Sequence, residues 1–176
     1  MDLWSVGHST RGLDELVALV AAHGIATVVD IRTVPKSRRH PHFHTDALAE
    51  ALPERGLGYV HLAALGGFRR AREGSPNGGW RNASFRGYAD YAMTAEFAAG
   101  LADLRGLAAT APTAMMCSEA VWWRCHRRLV ADRLVAGGDS VFHITSETRA
   151  DPHELSPFAV VGDDGQITYP LDGIDA

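Results

Sequence analysis

The sequence predicts an α/β fold: one domain over residues 1–176, a mostly parallel sheet of about five strands with helices on both faces, and a small C-terminal hairpin. Three observations lead there. Leu3-Trp4-Ser5-Val6, apolar residues at helical spacing (Leu13, Leu16, Val17, Val20) and the run 25–31 follow one another at the N-terminus. A strand, a helix and a strand within roughly 30 residues form a βαβ crossover, which parallel pairing requires. The same alternation then recurs along the chain. Finally, 176 residues that are 46% hydrophobic and 22% charged suit one sizeable core.

The elements follow in order. Gly7 stops the first strand. Gly12 is the expected cap of the first helix, with Glu15 three residues on and Gly24 as its stop. Ile25–Ile31 is β-branched and reads as a buried second strand. Thr45 is expected to cap a helix carrying Leu48 and Leu52 and closed by Gly56, before a third strand at 57–62. Residues 66–82 are Gly- and Arg-rich and aperiodic, a long loop of the kind that is usually functional or mobile. Helical spacing resumes at Phe85, Tyr88 and Ala92, and Thr94 is placed to cap a helix with Phe97, Leu101 and Leu104. A fourth strand at 112–117, a helix from about Arg124 to Ala136, and a fifth strand at 141–144 come next. Asp164-Gly165 between two short apolar runs marks the hairpin.

Charge and cysteine content narrow the class. No run approaches the ~18 apolar residues of a membrane span, and the first residues do not resemble a signal peptide. Cys117 and Cys125 make no disulfide framework, so a cytoplasmic setting with reduced thiols is expected; C-x7-C is not a zinc-knuckle spacing either. The net charge is −4, yet residues 31–90 hold 10 of the 17 Lys and Arg and 5 of the 21 Asp and Glu. This basic middle within an acidic chain points to a selective site for a small anionic or phosphorylated ligand more than to a long nucleic acid.

In open α/β sheets ligands bind beyond the carboxyl ends of the strands, and the chemically interesting residues follow strands here. They are Gly7-His8-Ser9-Thr10-Arg11, Asp30-Ile31-Arg32 with Pro35-Lys36-Ser37-Arg38, His61 with Leu65-Gly66-Gly67, Cys117-Ser118-Glu119 with Cys125-His126-Arg127, and His143. The segments GHSTR, DIRTVPKSR, YVHLAALGG, CSE, CHR and VFHI, in this order over roughly residues 3–145, resemble the family called domain of unknown function 488. The resemblance implies a cytoplasmic, Rossmann-like α/β domain of prokaryotic type. It supplies no activity, so the site rests on its chemistry.

Cys117, at a strand end near backbone amides and arginines, suits a thiolate nucleophile or redox thiol; its bland reading is an inert buried cysteine. Six residues separate it from Arg124 and include Trp122-Trp123, which argues against a cysteine-phosphatase loop. Glu119 offers acid/base chemistry or an ion pair, and His8 is the third catalytic candidate. The helix start at Cys125-His126-Arg127 suits an anion, unless Arg127 pairs with Asp30 or Glu119. Asp30 and Arg32 share a strand face, as an ion pair or as substrate contacts; Ser9, Ser37 and Arg38 complete the binding set. No metal is expected: His40, His42 and His44 lie in a loop around Pro41, and His8, His61 and His126, taken with Cys117 or Glu119, fit no defined ligand spacing. Arg69, Arg70, Arg72, Arg81 and Arg86 interleaved with Phe68, Trp80 and Phe85 offer single-strand binding by phosphate contact and stacking, against a plain solvated loop. The expected function is an enzyme acting on an anionic small substrate, with a cofactor left unspecified. The alternative is a non-catalytic nucleotide- or nucleic-acid-binding module, whose affinity would fall steeply with salt.

Overall fold

The computed structural model describes residues 1–36 and 39–171. The strands are β1 (Asp2–Gly7), β2 (Thr27–Asp30), β3 (Gly58–His61), β4 (Thr113–Cys117), β5 (Ser140–Ser146) and β6 (Arg149–Pro152), with a separate hairpin of β7 (Val160–Val161) and β8 (Ile167–Thr168). The helices are α1 (Leu13–Ala22), α2 (Thr45–Ala51), α3 (Ala83–Tyr91), α4 (Ala95–Thr110) and α5 (Arg127–Ala136). The six-stranded sheet runs β3-β2-β4-β1-β5-β6. Its first five strands are parallel, and β6 returns antiparallel along β5.

The pleat sorts the core. Val6, Val28, Ala114 and Met116 face one way and pack with Leu16, Leu19 and Val20 of α1 and Leu48 of α2. Leu3, Val29, Met115 and Val141 face the other way and pack with Phe97, Leu101 and Leu104 of α4 and Leu129 and Leu134 of α5. Opposite faces are what right-handed crossovers require, because the chain first moves left along the sheet, from β1 to β2 to β3, and later right, from β4 to β5.

Local signals explain most boundaries. Asn82 caps α3 through the amide of Ser84 at 2.8 Å, and Thr94 caps α4 through the amide of Phe97 at 3.3 Å. Gly12 stands at the cap of α1, and Gly24 closes its C-terminal turn at φ 67. Two expectations are corrected, and one edge strand is added. Thr45 is the first residue of α2, and His44 takes the cap position. Residues 122–124 form a 3-10 turn, so the helix expected from Arg124 begins at Arg127. The sheet gains β6, whose sequence, RADP, lacks the alternation of a half-buried strand. Among the described residues no helix is long and apolar enough to cross a membrane.

Candidate functional site

From β2 the chain leaves towards β3, and from β4 it leaves in the opposite direction towards β5. Connections that diverge open a crevice at the carboxyl ends of the two neighbouring strands. A pocket of about 540 Å³ lies there, within the usual size range of small-molecule sites. His8, Ser9, Arg32, Cys117, Glu119, Cys125 and His126 line it. Asp30 and Arg127 are buried behind these side chains. Ser37 and Arg38, expected in the binding set, lie outside the described residues.

The thiols meet. Cys117 ends β4 and Cys125 stands just ahead of α5. The connection between them folds back through the 3-10 turn at Trp122–Arg124. As a result Cys117 Sγ, Cys125 Sγ and a nitrogen of His126 lie within 4.8 Å of one another. His126 Nδ1 is 3.9 Å from Cys117 Sγ and 3.7 Å from Cys125 Sγ. Its Nε2 lies 2.9 Å from the Ile31 carbonyl. A carbonyl only accepts, so Nε2 carries a proton, and Nδ1 is the ring nitrogen turned towards the sulfurs.

Arg127 sets the charge at this cluster. It is 1% exposed. Its Nη2 donates to the Glu119 carbonyl and its Nε to Cys125 Sγ at 3.4 Å. Among the described residues no carboxylate forms an ion pair with it. A buried cation needs an anion beside it, and the adjacent sulfur can supply one as a thiolate. Burial alone would raise the Cys125 thiol. The hydrogen bond from Cys117, the Arg127 charge and the two N–H groups of Arg127 outweigh burial and bring it well below the ordinary thiol value. Cys117 moves the opposite way, because its S–H is held by the Cys125 sulfur and because it is buried. At the start of α5, where an external anion was expected, the Arg127 amide is thus already directed at the protein's own sulfur.

The other candidates are more heavily engaged. Asp30 accepts from Arg32 Nε at 2.8 Å, from Arg32 Nη2 at 2.5 Å and from the Tyr59 hydroxyl at 2.9 Å. The pair is therefore an internal ion pair, and most of the Arg32 charge is neutralised. His8 donates from Nδ1 to the Ser9 carbonyl at 3.0 Å and accepts from Arg32 Nη1 at 3.1 Å through Nε2. Burial and the Arg32 charge push its pKa down to about 4, so it is neutral at pH 7. The amides of His8 and Ser9 bond the Cys117 and Ser118 carbonyls, both at 2.9 Å, so they are not free to cradle an oxyanion. The Glu119 side chain is exposed at the pocket mouth, and Arg127 contacts only its backbone.

Residues 12–134 match the family described as domain of unknown function DUF488. The chain belongs to that family. No curated protein and no solved structure gives a significant match. Within this family member the pocket also recruits residues that were not singled out as ligands. Lys36 and Arg124 are exposed cations on its wall, and Phe85, Tyr88 and Phe68 add apolar surface. Lys36 lies inside the DIRTVPKSR segment, and Arg124 directly precedes Cys125, so both were visible as neighbours of quoted motifs.

The Arg-aromatic loop is less open than its composition suggests. Trp80 is buried against Phe85, Phe158 and Tyr169. Arg69 stacks on Tyr91 and Arg86 donates to the Trp80 carbonyl. Of its three aromatics, Phe68 alone stands free, 93% exposed, with φ 57. Among the described residues the one cluster suited to a metal is Cys117, Cys125 and His126, not the histidines of 40–44. Their convergence is a possibility that the spacing of the cysteines had set aside.

Proposed function

We propose that the protein is a thiolate-dependent enzyme acting on a small anionic or phosphorylated substrate, with Cys125 as the nucleophile. The observation that carries this reading is the placement of Cys125 Sγ. It accepts from a buried arginine that has no carboxylate partner among the described residues, and at the same time it lines the pocket. Cys125 attacks an electrophilic centre of the substrate; the bond to the leaving group breaks, that group departs and takes up a proton from solvent, and a covalent thio-intermediate remains. His126 Nδ1, opposite the Nε2 that the Ile31 carbonyl holds, takes the proton of the acceptor that displaces Cys125 and passes it to solvent as the thiolate is regenerated. Lys36 and Arg124 hold the anionic part of the substrate at the mouth, a role first given to Arg32, Arg38 and Arg127; the charges of Arg32 and Arg127 have internal partners. Glu119 keeps its acid/base assignment at the rim. His8 acts as a positioning residue that fixes Arg32. Cys117, the nucleophile first expected, becomes the protonated partner of Cys125.

Alkylation tests this without a known substrate. At pH 6.5, anionic iodoacetate and neutral iodoacetamide are compared, and the modified residue is located by mass spectrometry. The expected result is selective modification of Cys125, faster with iodoacetate, with that preference lost in the Lys36→Gln/Arg124→Gln variant and weakened by salt. An unreactive Cys125, or equal preference in the variant and the parent, would overturn the assignment.

A further inference from the structure

The reading above uses one thiol of two, and it leaves open why a second should face the same imidazole. We propose that Cys117 and Cys125 form a dithiol couple that reduces small anionic disulfides: Cys125 attacks, and Cys117 resolves the mixed disulfide into an intramolecular bond. The inference rests on Cys125 being the nucleophile and deepens that reading by naming the substrate class.

Geometry supports it. The two sulfurs lie within 4.8 Å of each other, a gap that small side-chain movements close to the roughly 2 Å of a disulfide. They belong to segments that the fold pins separately. Cys117 is in register beside Gly7 in the sheet interior. The connection to Cys125 is anchored by the Trp122 ring, which stacks on His143 at 4.0 Å and 7°, and by Arg127 holding the Glu119 carbonyl. Both cysteines are nearly buried, at 5% and 3% exposure, and both line the pocket. A folded partner protein could not bring its own thiol to them, whereas a small disulfide entering the pocket could. Lys36 and Arg124 at the mouth favour one that carries carboxylates.

Charge separates this reading from a metal centre. Two thiolates and an imidazole would suit a dication, but a neutral dithiolate–metal unit would leave the buried Arg127 without a counter-charge. A single thiolate beside Arg127 with a protonated neighbour is balanced.

The chemistry runs in two displacements. Cys125 Sγ⁻ attacks one sulfur of R–S–S–R; that bond breaks, R–S⁻ departs and takes up a proton, and Cys125–S–S–R remains. Cys117 then gives its S–H proton to His126 Nδ1 and attacks Cys125 Sγ. The mixed bond breaks, and the second R–S⁻ leaves with the His126 proton. One disulfide is consumed, two thiols are released, and the protein is oxidised by two electrons, which an external dithiol reverses.

The probe is 5,5′-dithiobis(2-nitrobenzoate), a dianionic disulfide, added at pH 6.5 to the full chain with and without prior chelation. Wild-type protein is expected to release two thionitrobenzoate equivalents, the second at a rate independent of reagent concentration, and to end two hydrogens lighter with no adduct. Cys117→Ser is expected to release one equivalent and to keep the adduct on Cys125. A wild-type chain that keeps one or two adducts overturns the couple; a stable adduct on Cys125 leaves the nucleophile in place. No reaction at Cys125 under either condition overturns both. Reactivity that appears only after chelation identifies a metal centre and also overturns the couple.

Discussion

At the scale of single residues, the decisive pair is Arg127 and Cys125. Because the thiol is depressed in the folded chain, its thiolate is present above the folded value and is lost below it. Replacing Arg127 by Gln removes the charge and a hydrogen bond, and the thiol returns towards its usual ~8.5. Alkylation of Cys125 at pH 6.5 is then expected to slow by about tenfold or more, one pKa unit being a factor of ten in thiolate. Arg127→Lys, which keeps the charge, should recover part of that loss, and circular dichroism separates slower chemistry from unfolding. The same depression bears on folding. Cys125 contributes stability that is complete above the unfolded thiol pKa and disappears as pH falls through the folded one. These residues also mark what a sequence can disclose. That Cys117, Cys125, His126 and Arg32 belong to one edge was legible, because each follows a strand of a parallel sheet. That Cys125 and not Cys117 carries the charge was not legible. It depends on which sulfur a buried guanidinium touches, and C-x7-C has no fixed geometry until the 3-10 turn folds it back.

At the scale of elements, two contacts hold the site in place. A Cβ on Gly7 would run into the Glu119 carbonyl, because the segment after β4 lies directly against the end of β1. Gly7→Ala is therefore expected to displace that segment and to abolish the low-pH reactivity of Cys125, even where the chain still folds. The second contact is centred on Asp132 in α5. It accepts from the amide of Ser156 at 2.9 Å, the Ser156 hydroxyl at 2.8 Å, the Tyr169 hydroxyl at 2.8 Å and His153 at 2.9 Å. His153 in turn meets His143 at 3.0 Å, and His143 meets Ser5 at 2.6 Å. Asp132→Ala leaves several buried donors without an acceptor, and a loss of about 3 kcal/mol is expected in chemical denaturation. Hydrogen exchange should quicken first in residues 149–169. The strands of the parallel sheet were readable from short β-branched and apolar runs such as Val28-Val29 and Ala114–Met116. Their order was not, because insertion of β4 between β2 and β1 depends on long-range pairing. β6 escaped because an edge strand with Arg149, Asp151 and Pro152 has no apolar face to betray it.

At the scale of the whole molecule, acid is the expected weakness. Burial and the Arg32 charge lower His8 to about 4 from its usual 6.5. Burial, with His153 and Arg127 nearby, lowers His143 still further. Both are held neutral in the fold, and the unfolded chain binds the extra protons first. Their contribution to stability is therefore complete above about pH 6.5 and is lost as pH falls through their folded values. The melting temperature should drop between pH 7 and pH 4.5, and His8→Gln should flatten that slope. A melting temperature unchanged over this range would show that neither ring is held neutral by the fold.

The segment beyond β5 carries a consequence for how the family's sequence is divided. Residues 12–134 are the part shared with the family, yet Asp132 within them has all four of its donors in residues 153–169. Tyr169 also reaches back, its amide donating to Asn77 Oδ1 at 3.0 Å, and it covers Trp80 together with Phe158. The shared portion is thus not a self-sufficient module. A chain cut after residue 146 would keep all five parallel strands and every thiol of the pocket. It would still expose an apolar flank and a bare internal carboxylate, and should be recovered as aggregate. Transplanting this site into another protein would mean carrying the C-terminal strap along with it.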